Sequence, residues 1–120
     1  MLNHIDIMGR LVREPEYRTT TKGTSVATFT LAVDRDFNRE ETDYIDCTAW
    51  RGTADFVSKY FHKGSMAVVS GRLQSEKWTD KEDKKHTRWN VQADSVYFGE
   101  SKKAETPQLQ EVADDEEIPF

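Results

Sequence analysis

The sequence predicts an all-β domain with one helix, arranged as a five-stranded antiparallel barrel. Five segments alternate apolar and polar residues with a period of two, which is typical of half-buried strands. One further segment, residues 53–62, repeats its apolar residues at helical spacing. The length of 120 residues suits one domain with a single modest core.

Residues 2–12 and 25–35 are the first two predicted strands, because every second residue in each is apolar or small. The inward residues are Ile5, Ile7, Gly9, Leu11, Ala27, Phe29, Leu31 and Val33. Residues 13–24 contain Pro15 and three successive threonines, so we expect a loop there, with a short extended piece around Tyr17.

The third predicted strand, residues 43–50, has two contrasting faces. Ile45, Cys47 and Ala49 alternate on a face that suits a core. The other face combines polar side chains with two large aromatic rings, Tyr44 and Trp50. Rings on a solvated face can stack on nucleobases. The alternative is that the following helical stretch, or a second subunit, covers both rings.

The remaining elements follow from similar patterns. Residues 36–42 form a charged hairpin connection that carries Phe37. Residues 53–62 form the helix, with Thr53 as its N-cap and Lys63-Gly64 after its end. Strands are expected at 66–77 and 87–98, joined by a charged, protruding hairpin over 78–86.

The order of these elements is three strands, one helix and two strands. This order favours an oligonucleotide/oligosaccharide-binding (OB) barrel, in which the helix between strands three and four closes one end. The middle strands, and the loops after the first and fourth, would then form the binding face. An α+β sandwich with the same order is the structural alternative.

Composition narrows the class of protein to which the chain could belong. The net charge is −5, but residues 1–100 contain 15 basic and 16 acidic residues, while residues 101–120 contain 2 and 6. A nearly neutral body can still present a basic face. No apolar run is long enough for a membrane span and no signal peptide is evident, so we expect a cytoplasmic protein. Cys47 has no partner for a disulfide, and the three histidines lack the spacing of a metal site.

Four aromatic residues are the candidate base-stacking groups: Phe37, Tyr44, Trp50 and Trp78. The candidate cations near them are His4, Arg10, Arg35, Arg51, Lys77, Lys84 and Lys85, together with Arg39, Lys81 and Arg88. Interleaved rings and cations can hold a single strand without reading its sequence. A solvated hairpin tip is the plainer interpretation of Trp78 and the lysines that follow it.

Other residues are interpreted as structural or as ordinary surface. Trp89 shares the parity of Val91 and is expected at the edge of the core. Arg13, Arg18 and Lys59 are interpreted as ordinary surface charge. The sequence shows no nucleophile–base pair and no phosphate-binding glycine loop, so we expect neither an enzyme nor a cofactor.

The last residues form two segments. Residues 99–113 lack periodicity and are expected to be a disordered linker. An acidic run usually serves only solubility, but this one ends in an apolar pair around a proline and a terminal carboxylate. That combination suits a basic-rimmed hydrophobic pocket on a partner protein. The segment consists of Asp114, Asp115, Glu116, Glu117, Ile118, Pro119 and Phe120.

Over residues 1–98, and separately at 114–120, the chain resembles the bacterial-type single-stranded-DNA-binding protein family, of bacterial or phage origin. The matching motifs are Met1-Leu2-Asn3, Gly9-Arg10-Leu11, Glu14-Pro15-Glu16, residues 26–33, Lys63-Gly64-Ser65, Gly71-Arg72-Leu73, Lys77-Trp78-Thr79 and Ala93-Asp94-Ser95-Val96. The resemblance implies an OB barrel that assembles as a homotetramer. It also implies that the four candidate rings occupy the family's base-stacking positions.

The chain departs from the family pattern in three ways. Asp46, Gln74 and Glu76 are not basic, although relatives can carry a base there. The linker is short and polar, and the tip contains Glu116-Glu117 in place of a further aspartate. We expect the binding mode to persist with altered affinity and site size.

Two functions remain open from the sequence. The preferred one is non-catalytic coating of single-stranded DNA in replication, recombination and repair, with the tip recruiting proteins of those processes. The other is a protein-interaction adaptor on an OB barrel, of the replication-restart type, whose exposed rings form a subunit interface.

Overall fold

The computed structural model describes residues 1–100 of the chain as six strands and one helix. The elements are β1 (Ile5–Leu11), β2 (Glu16–Thr19), β3 (Ser25–Arg35), β4 (Asn38–Trp50), α1 (Gly52–Tyr60), β5 (Met66–Thr79) and β6 (Lys85–Phe98). The predicted tip at 114–120 and all but the first two residues of the predicted linker lie outside the described residues. In the described part of the chain, no helix is long and apolar enough to span a membrane.

Five strands close into a barrel. The strand order is β1-β5-β6-β4-β3-β2, and a further pairing between β1 and β3 completes the circle. The β4–β6 pair is parallel and the other pairs are antiparallel. Within residues 1–100, β2 pairs only with β3 and lies outside the closed circle. The predicted barrel with one helix is therefore confirmed.

The helix follows the fourth strand in the structure, whereas the sequence placed it after the third. The difference arises from β2, a four-residue strand that we expected only as an extended piece around Tyr17. Its residues are all exposed, so it lacks the apolar alternation that identifies a half-buried strand.

The barrel interior contains the residues that the alternation placed inward. Leu31, Cys47, Ala49, Val69 and Val91 are completely buried there, whereas the inward residues Ile5, Ile7 and Val33 are partly buried and pack against them. Burial, and secondarily the nearby Asp46 carboxylate, raises the pKa of the Cys47 thiol to about 12. The prediction of Cys47 as a core residue is confirmed.

Gly9 allows the barrel to close. A Cβ atom at this position would lie 2.5 Å from the carbonyl oxygen of Ala32 on β3, closer than a side chain tolerates. The adjacent Arg10 pairs with Ala32, and Leu11 pairs with Leu31. Because Gly9 has no side chain, β1 can approach β3 where the two strands meet.

Helix α1 covers one end of the barrel. Ala54 and Val57 are buried, and the Phe61 ring after the helix stacks on Phe98 with centroids 4.8 Å apart. The predicted N-cap is wrong: the cap residue is Arg51, at φ 59°, and its side chain makes no capping bond in the part of the chain that the structure describes. Backbone hydrogen bonds fix Arg51 in the turn between β4 and α1. Its N–H donates to the Ser25 carbonyl, and its own carbonyl accepts from the Asp55 N–H.

Both hairpins continue the strands further than the sequence indicated. β3 and β4 are joined by only Asp36 and Phe37, although we expected a connection over 36–42. β5 and β6 extend to Thr79 and from Lys85, within the predicted 78–86 loop. These two-stranded extensions consist largely of charged residues and do not pack on the core. They therefore lack the apolar periodicity by which a strand is recognised in the sequence.

Candidate functional site

A polar groove of about 540 Å³ crosses one face of the sheet. Four barrel strands and β2 supply its lining. The register explains which residues share this face: Thr28 pairs with Thr48, which pairs with Gln92 on the parallel neighbour β6. Further along, Gln74 pairs with Asn90 and Glu76 with Arg88. The groove is therefore an extended channel whose floor carries mainly hydrogen-bonding side chains.

Trp50 lies at the groove, where its ring is partly exposed and its indole N–H is hydrogen-bonded. It is 43% exposed, and its Nε1–H donates to Oε1 of Gln92 at 2.9 Å. Nε2 of Gln92 in turn donates to Oδ1 of Asn90 at 3.1 Å. This chain of bonds attaches the indole to the groove floor, so the ring is held in place before any ligand arrives.

The other predicted rings are also exposed. Tyr44 has the same parity on β4 as Trp50, and Trp78 has the same parity on β5 as the groove residues Gln74 and Glu76. Both are exposed, and Phe37 is fully exposed at the tip of the β3–β4 hairpin. The structure therefore brings Tyr44, Trp50 and Trp78 to one face of the sheet and leaves Phe37 on a projecting turn.

Trp78 has neighbours that hold its ring. The imidazole of His86, directly opposite on β6, stacks on it with centroids 5.2 Å apart and planes at 21°. The Arg88 guanidinium lies 5.9 Å from the ring centroid. His86 Nε2 is 2.7 Å from Oδ2 of Asp80, and Oδ1 of Asp80 accepts the backbone N–H groups of Glu82 and Lys84. These bonds, led by that of His86, lower the pKa of Asp80.

The charges along the groove are balanced. Arg13, Arg18 and Arg88 line it, and so do the carboxylates Glu16, Asp46 and Glu76. Arg88 reaches Glu76 at 3.5 Å. Asp46 accepts the Thr30 hydroxyl at 2.8 Å. The groove lining therefore contains cations but is not a uniformly basic channel.

The predicted cations are distributed over several surfaces. Arg35 is bound in bidentate fashion by Asp43 and also reaches Glu41, and this arrangement lowers the pKa of Asp43. Arg51 is exposed beside Trp50 at the start of the helix. The predicted lysines of the β5–β6 hairpin are exposed, two of them on the opposite face from Trp78: Lys77, Lys84 and Lys85.

His4 and Arg10 do not line the groove. They flank the outward side of β1, where His4 lies 3.1 Å from Asp6. Arg10 donates to both carboxylate oxygens of Glu100 and to the Gly64 carbonyl. The Gly99 N–H also donates to Met66, so the first two residues of the predicted linker contact the barrel.

Sequence reasoning missed two groove arginines and misplaced one ring. Arg13 and Arg18 were interpreted as ordinary surface charge, yet both line the groove beside Trp50. Recognition of β2 would have found Arg18, because it pairs with Val26, the residue opposite Trp50 on β3. Trp89 has the predicted core parity but is 59% exposed, because this part of β6 extends beyond the barrel; its placement at the core edge was wrong.

The arrangement suits the binding of a ligand rather than the making or breaking of covalent bonds. Its groups can stack on flat rings, donate and accept hydrogen bonds, and pair with anions. Among residues 1–100, no three His, Cys, Asp or Glu side chains are placed to hold a metal ion.

Comparison with known proteins gives a consistent result. The family model described as the single-strand binding protein family matches residues 2–99. The chain is 48% identical over 109 residues to "Single-stranded DNA-binding protein 1" of Staphylococcus aureus (strain COL), covering 88% of this chain and 65% of that protein. It is 43% identical over 106 residues to "Single-stranded DNA-binding protein A" of Bacillus subtilis (strain 168), covering 85% and 62%. The chain thus spans less than two thirds of the length of these curated relatives.

Proposed function

Because the chain belongs to the single-strand binding protein family, we propose that it binds single-stranded DNA without catalysis and largely without regard to sequence. The observation that carries this proposal is the placement of Trp50, with Tyr44 and Trp78 on the same sheet face. Stacking of bases on such rings contributes about 1–3 kcal/mol per base, the range found for single-strand-binding proteins in general. Relatives named single-stranded DNA-binding proteins support the same ligand.

The path of the strand follows from the charges. Phosphates should run near Arg13, Arg18 and Arg88, because these guanidinium groups are the cations in the groove lining. The bases then face inward toward the rings. Phe37, Arg51, Lys77, Lys84 and Lys85 are proposed as further contacts on the two hairpins and at the helix start. Arg35 is a weaker candidate, since Asp43 and Glu41 already satisfy its guanidinium.

We further propose that the protein acts in replication, recombination and repair as a homotetramer in the cytoplasm. Self-association is supported by β1, which pairs with β3 only at Arg10 and Leu11 and so leaves an open edge over Ile5–Gly9 in the described chain. An unpaired strand edge is a template for pairing with a second copy. Exposed apolar side chains nearby, Met8 and Tyr97, provide additional surface for assembly.

The acidic tip, residues 114–120, is proposed to recruit replication, recombination and repair proteins. Its support is its composition: carboxylates next to Ile118 and Phe120 suit a hydrophobic pocket with a basic rim. The tip lies outside the described residues, so this part of the proposal rests on the sequence alone.

One observation favours the adaptor alternative. The groove lining contains three carboxylates beside its three guanidinium groups, a poorer complement to a polyanion than a uniformly basic surface. In that case the exposed rings would contact another protein.

Titration with oligo-dT, followed by tryptophan fluorescence and by sedimentation, distinguishes the two functions. DNA binding predicts strong quenching, saturation at a defined ratio of oligonucleotide to protein, and similar affinity for unrelated sequences. No quenching and no change in sedimentation would remove DNA binding and leave the adaptor.

A further inference from the structure

The two groove arginines that form no ion pair within residues 1–100 lie on one short segment. They are Arg13 and Arg18, which line the groove together with Arg88. Arg88 differs, since its guanidinium lies 3.5 Å from Glu76. The segment is residues 13–19, which comprise the end of the loop after β1 and then β2. The cations most available to a phosphate therefore depend on the position of this segment.

Packing does little to hold β2. Its four residues are all exposed, and none of them belongs to the hydrophobic core. Within residues 1–100 the strand pairs only with β3. Segments with few buried apolar contacts open at low cost in free energy. The position of β2 therefore depends on polar side-chain contacts as well as on its pairing with β3.

Tyr17 supplies such a contact on the side of β2 away from the groove. Because side chains alternate along a strand, Tyr17 points away from the groove that its neighbours Glu16 and Arg18 line. Its hydroxyl donates to Oδ1 of Asp55, in the first turn of α1, at 2.7 Å. The same hydroxyl lies 3.0 Å from Oγ of Ser25 on β3. Hydrogen bonds to a carboxylate are among the stronger ones, so the phenol attaches β2 to the helix.

Glu14 fixes the other end of the segment by a separate contact. Its Oε2 accepts the backbone N–H of Lys63 at 2.8 Å, and its Oε1 lies 3.1 Å from Nδ1 of His62. The bond from Lys63 is the main cause of the lowered pKa of Glu14. Since Glu14 directly follows Arg13, this contact holds the backbone of Arg13 independently of Tyr17.

We propose that Tyr17 is a positioning residue for DNA binding, because its bond to Asp55 holds β2 where Arg18 meets a phosphate. This inference rests on the proposed binding of single-stranded DNA. A guanidinium on a fixed strand loses less conformational freedom on pairing with a phosphate than one on a loose strand. Loss of the Tyr17 hydroxyl therefore lowers affinity through Arg18, whereas Arg13 keeps its position.

The test is Tyr17→Phe, which removes the hydroxyl and leaves the ring and the net charge unchanged. At about 0.1 M salt, one phosphate contact raises affinity about five-fold through counterion release. Because part of the Arg18 contact is lost, Tyr17→Phe should lower affinity for oligo-dT about two-fold and make its salt dependence shallower. In the Arg18→Gln background the same substitution should change neither quantity. In the Arg13→Gln background it should keep its full effect.

Tyr60→Phe is the matched control. The Tyr60 side chain is 44% exposed, against 47% for Tyr17, and its hydroxyl has no hydrogen-bond partner within residues 1–100. This variant should leave affinity and salt dependence unchanged. Amide hydrogen exchange then distinguishes local loosening from a loss of global stability. In Tyr17→Phe, exchange should become faster in β2 and stay slow in β1 and β5.

The outcomes separate this inference from the proposed function. An unchanged salt dependence in Tyr17→Phe, or an equal loss of affinity with and without Arg18, would overturn the positioning role while DNA binding stands. If the unaltered protein does not bind oligo-dT, the proposed function itself fails.

Discussion

The indole N–H of Trp50 donates a 2.9 Å hydrogen bond to Gln92 across the parallel β4–β6 pair. Without this acceptor, a half-exposed indole would be free to turn toward solvent or toward the groove. Gln92 is itself bonded to Asn90, so the ring is tied to a buried polar chain. A pre-positioned ring loses less conformational freedom when a base stacks on it.

Removal of the Trp50 ring should weaken DNA binding without unfolding the barrel. We expect Trp50→Ala to cost about 1–3 kcal/mol of binding free energy, in line with base stacking in single-strand-binding proteins generally. Oligo-dT titration measures the loss. Trp89→Ala is the control, because Trp89 is exposed on the opposite face of the sheet. If Trp50→Ala melts the protein and leaves affinity intact, the ring serves folding or a subunit interface.

Affinity should fall as salt rises, with a slope that reports the groove arginines. When the logarithm of the binding constant is plotted against the logarithm of salt concentration, each neutralised phosphate of a single strand contributes about −0.7 to the slope. Arg18→Gln should therefore make the slope shallower by about that amount per subunit engaged. Arg10→Gln should change the slope less, because Glu100 already neutralises Arg10 on the β1 side. A larger effect at Arg10 than at Arg18 would place the DNA across β1 instead of the groove.

Acid should loosen the β5–β6 hairpin through Asp80. The pKa of Asp80 lies below its ordinary value of 3.8, chiefly because His86 hydrogen-bonds its carboxylate. A lowered folded-state pKa stabilises the hairpin above the ordinary pKa, and this stabilisation disappears as the pH falls through the folded-state value. NMR contacts between the Trp78 and His86 rings should weaken over that acid range.

In Asp80→Asn, this acid dependence of the ring contacts should vanish. Asp83→Asn is the control, since Asp83 lies in the same turn at φ 64°, a conformation that asparagine accepts. Persistence of the transition in Asp80→Asn would assign it to another carboxylate.

Gly9→Ala should destabilise the barrel. The added methyl would meet the Ala32 carbonyl oxygen, so β1 must move away from β3. Overpacking of this kind costs about 1–3 kcal/mol of unfolding free energy. Gly52→Ala is the control, because no atom of the described residues lies within 4 Å of a Cβ there. Denaturant unfolding of both variants measures the difference; equal stabilities would show that the strands adjust without cost.

Deletion of residues 114–120 should separate DNA binding from partner binding. Without the acidic tip, DNA affinity should stay unchanged or rise slightly at low salt, since a competing polyanion is removed and salt screens that competition. Capture of replication and repair proteins should be lost, both on deletion and in Phe120→Ala. Fluorescence titration and pull-down measure the two activities. A deletion that loses DNA binding but keeps partners would contradict this division.

The sequence was sufficient to predict which segments are strands or helix and which of their side chains point toward the core, because both depend on local periodicity. On β4, the period of two was sufficient to place Cys47 and Ala49 in the core and Tyr44 and Trp50 outside. The closed barrel and its helix followed from the order of such elements. Charged extensions such as 38–42 escaped prediction, since they have no buried face to impose a pattern.

The sequence by itself therefore determined which β4 side chains are buried in the barrel and that Tyr44 and Trp50 stay exposed, because burial requires apolar residues at regular intervals. Only the tertiary structure decided which strands are neighbours. The parallel β4–β6 pair places Gln92 under Trp50, although the two residues are 42 positions apart. The β2–β3 pair places Arg18 at the groove, and the reach of β6 beyond the barrel exposes Trp89. Such contacts depend on register between distant segments, which alternation within one segment cannot specify.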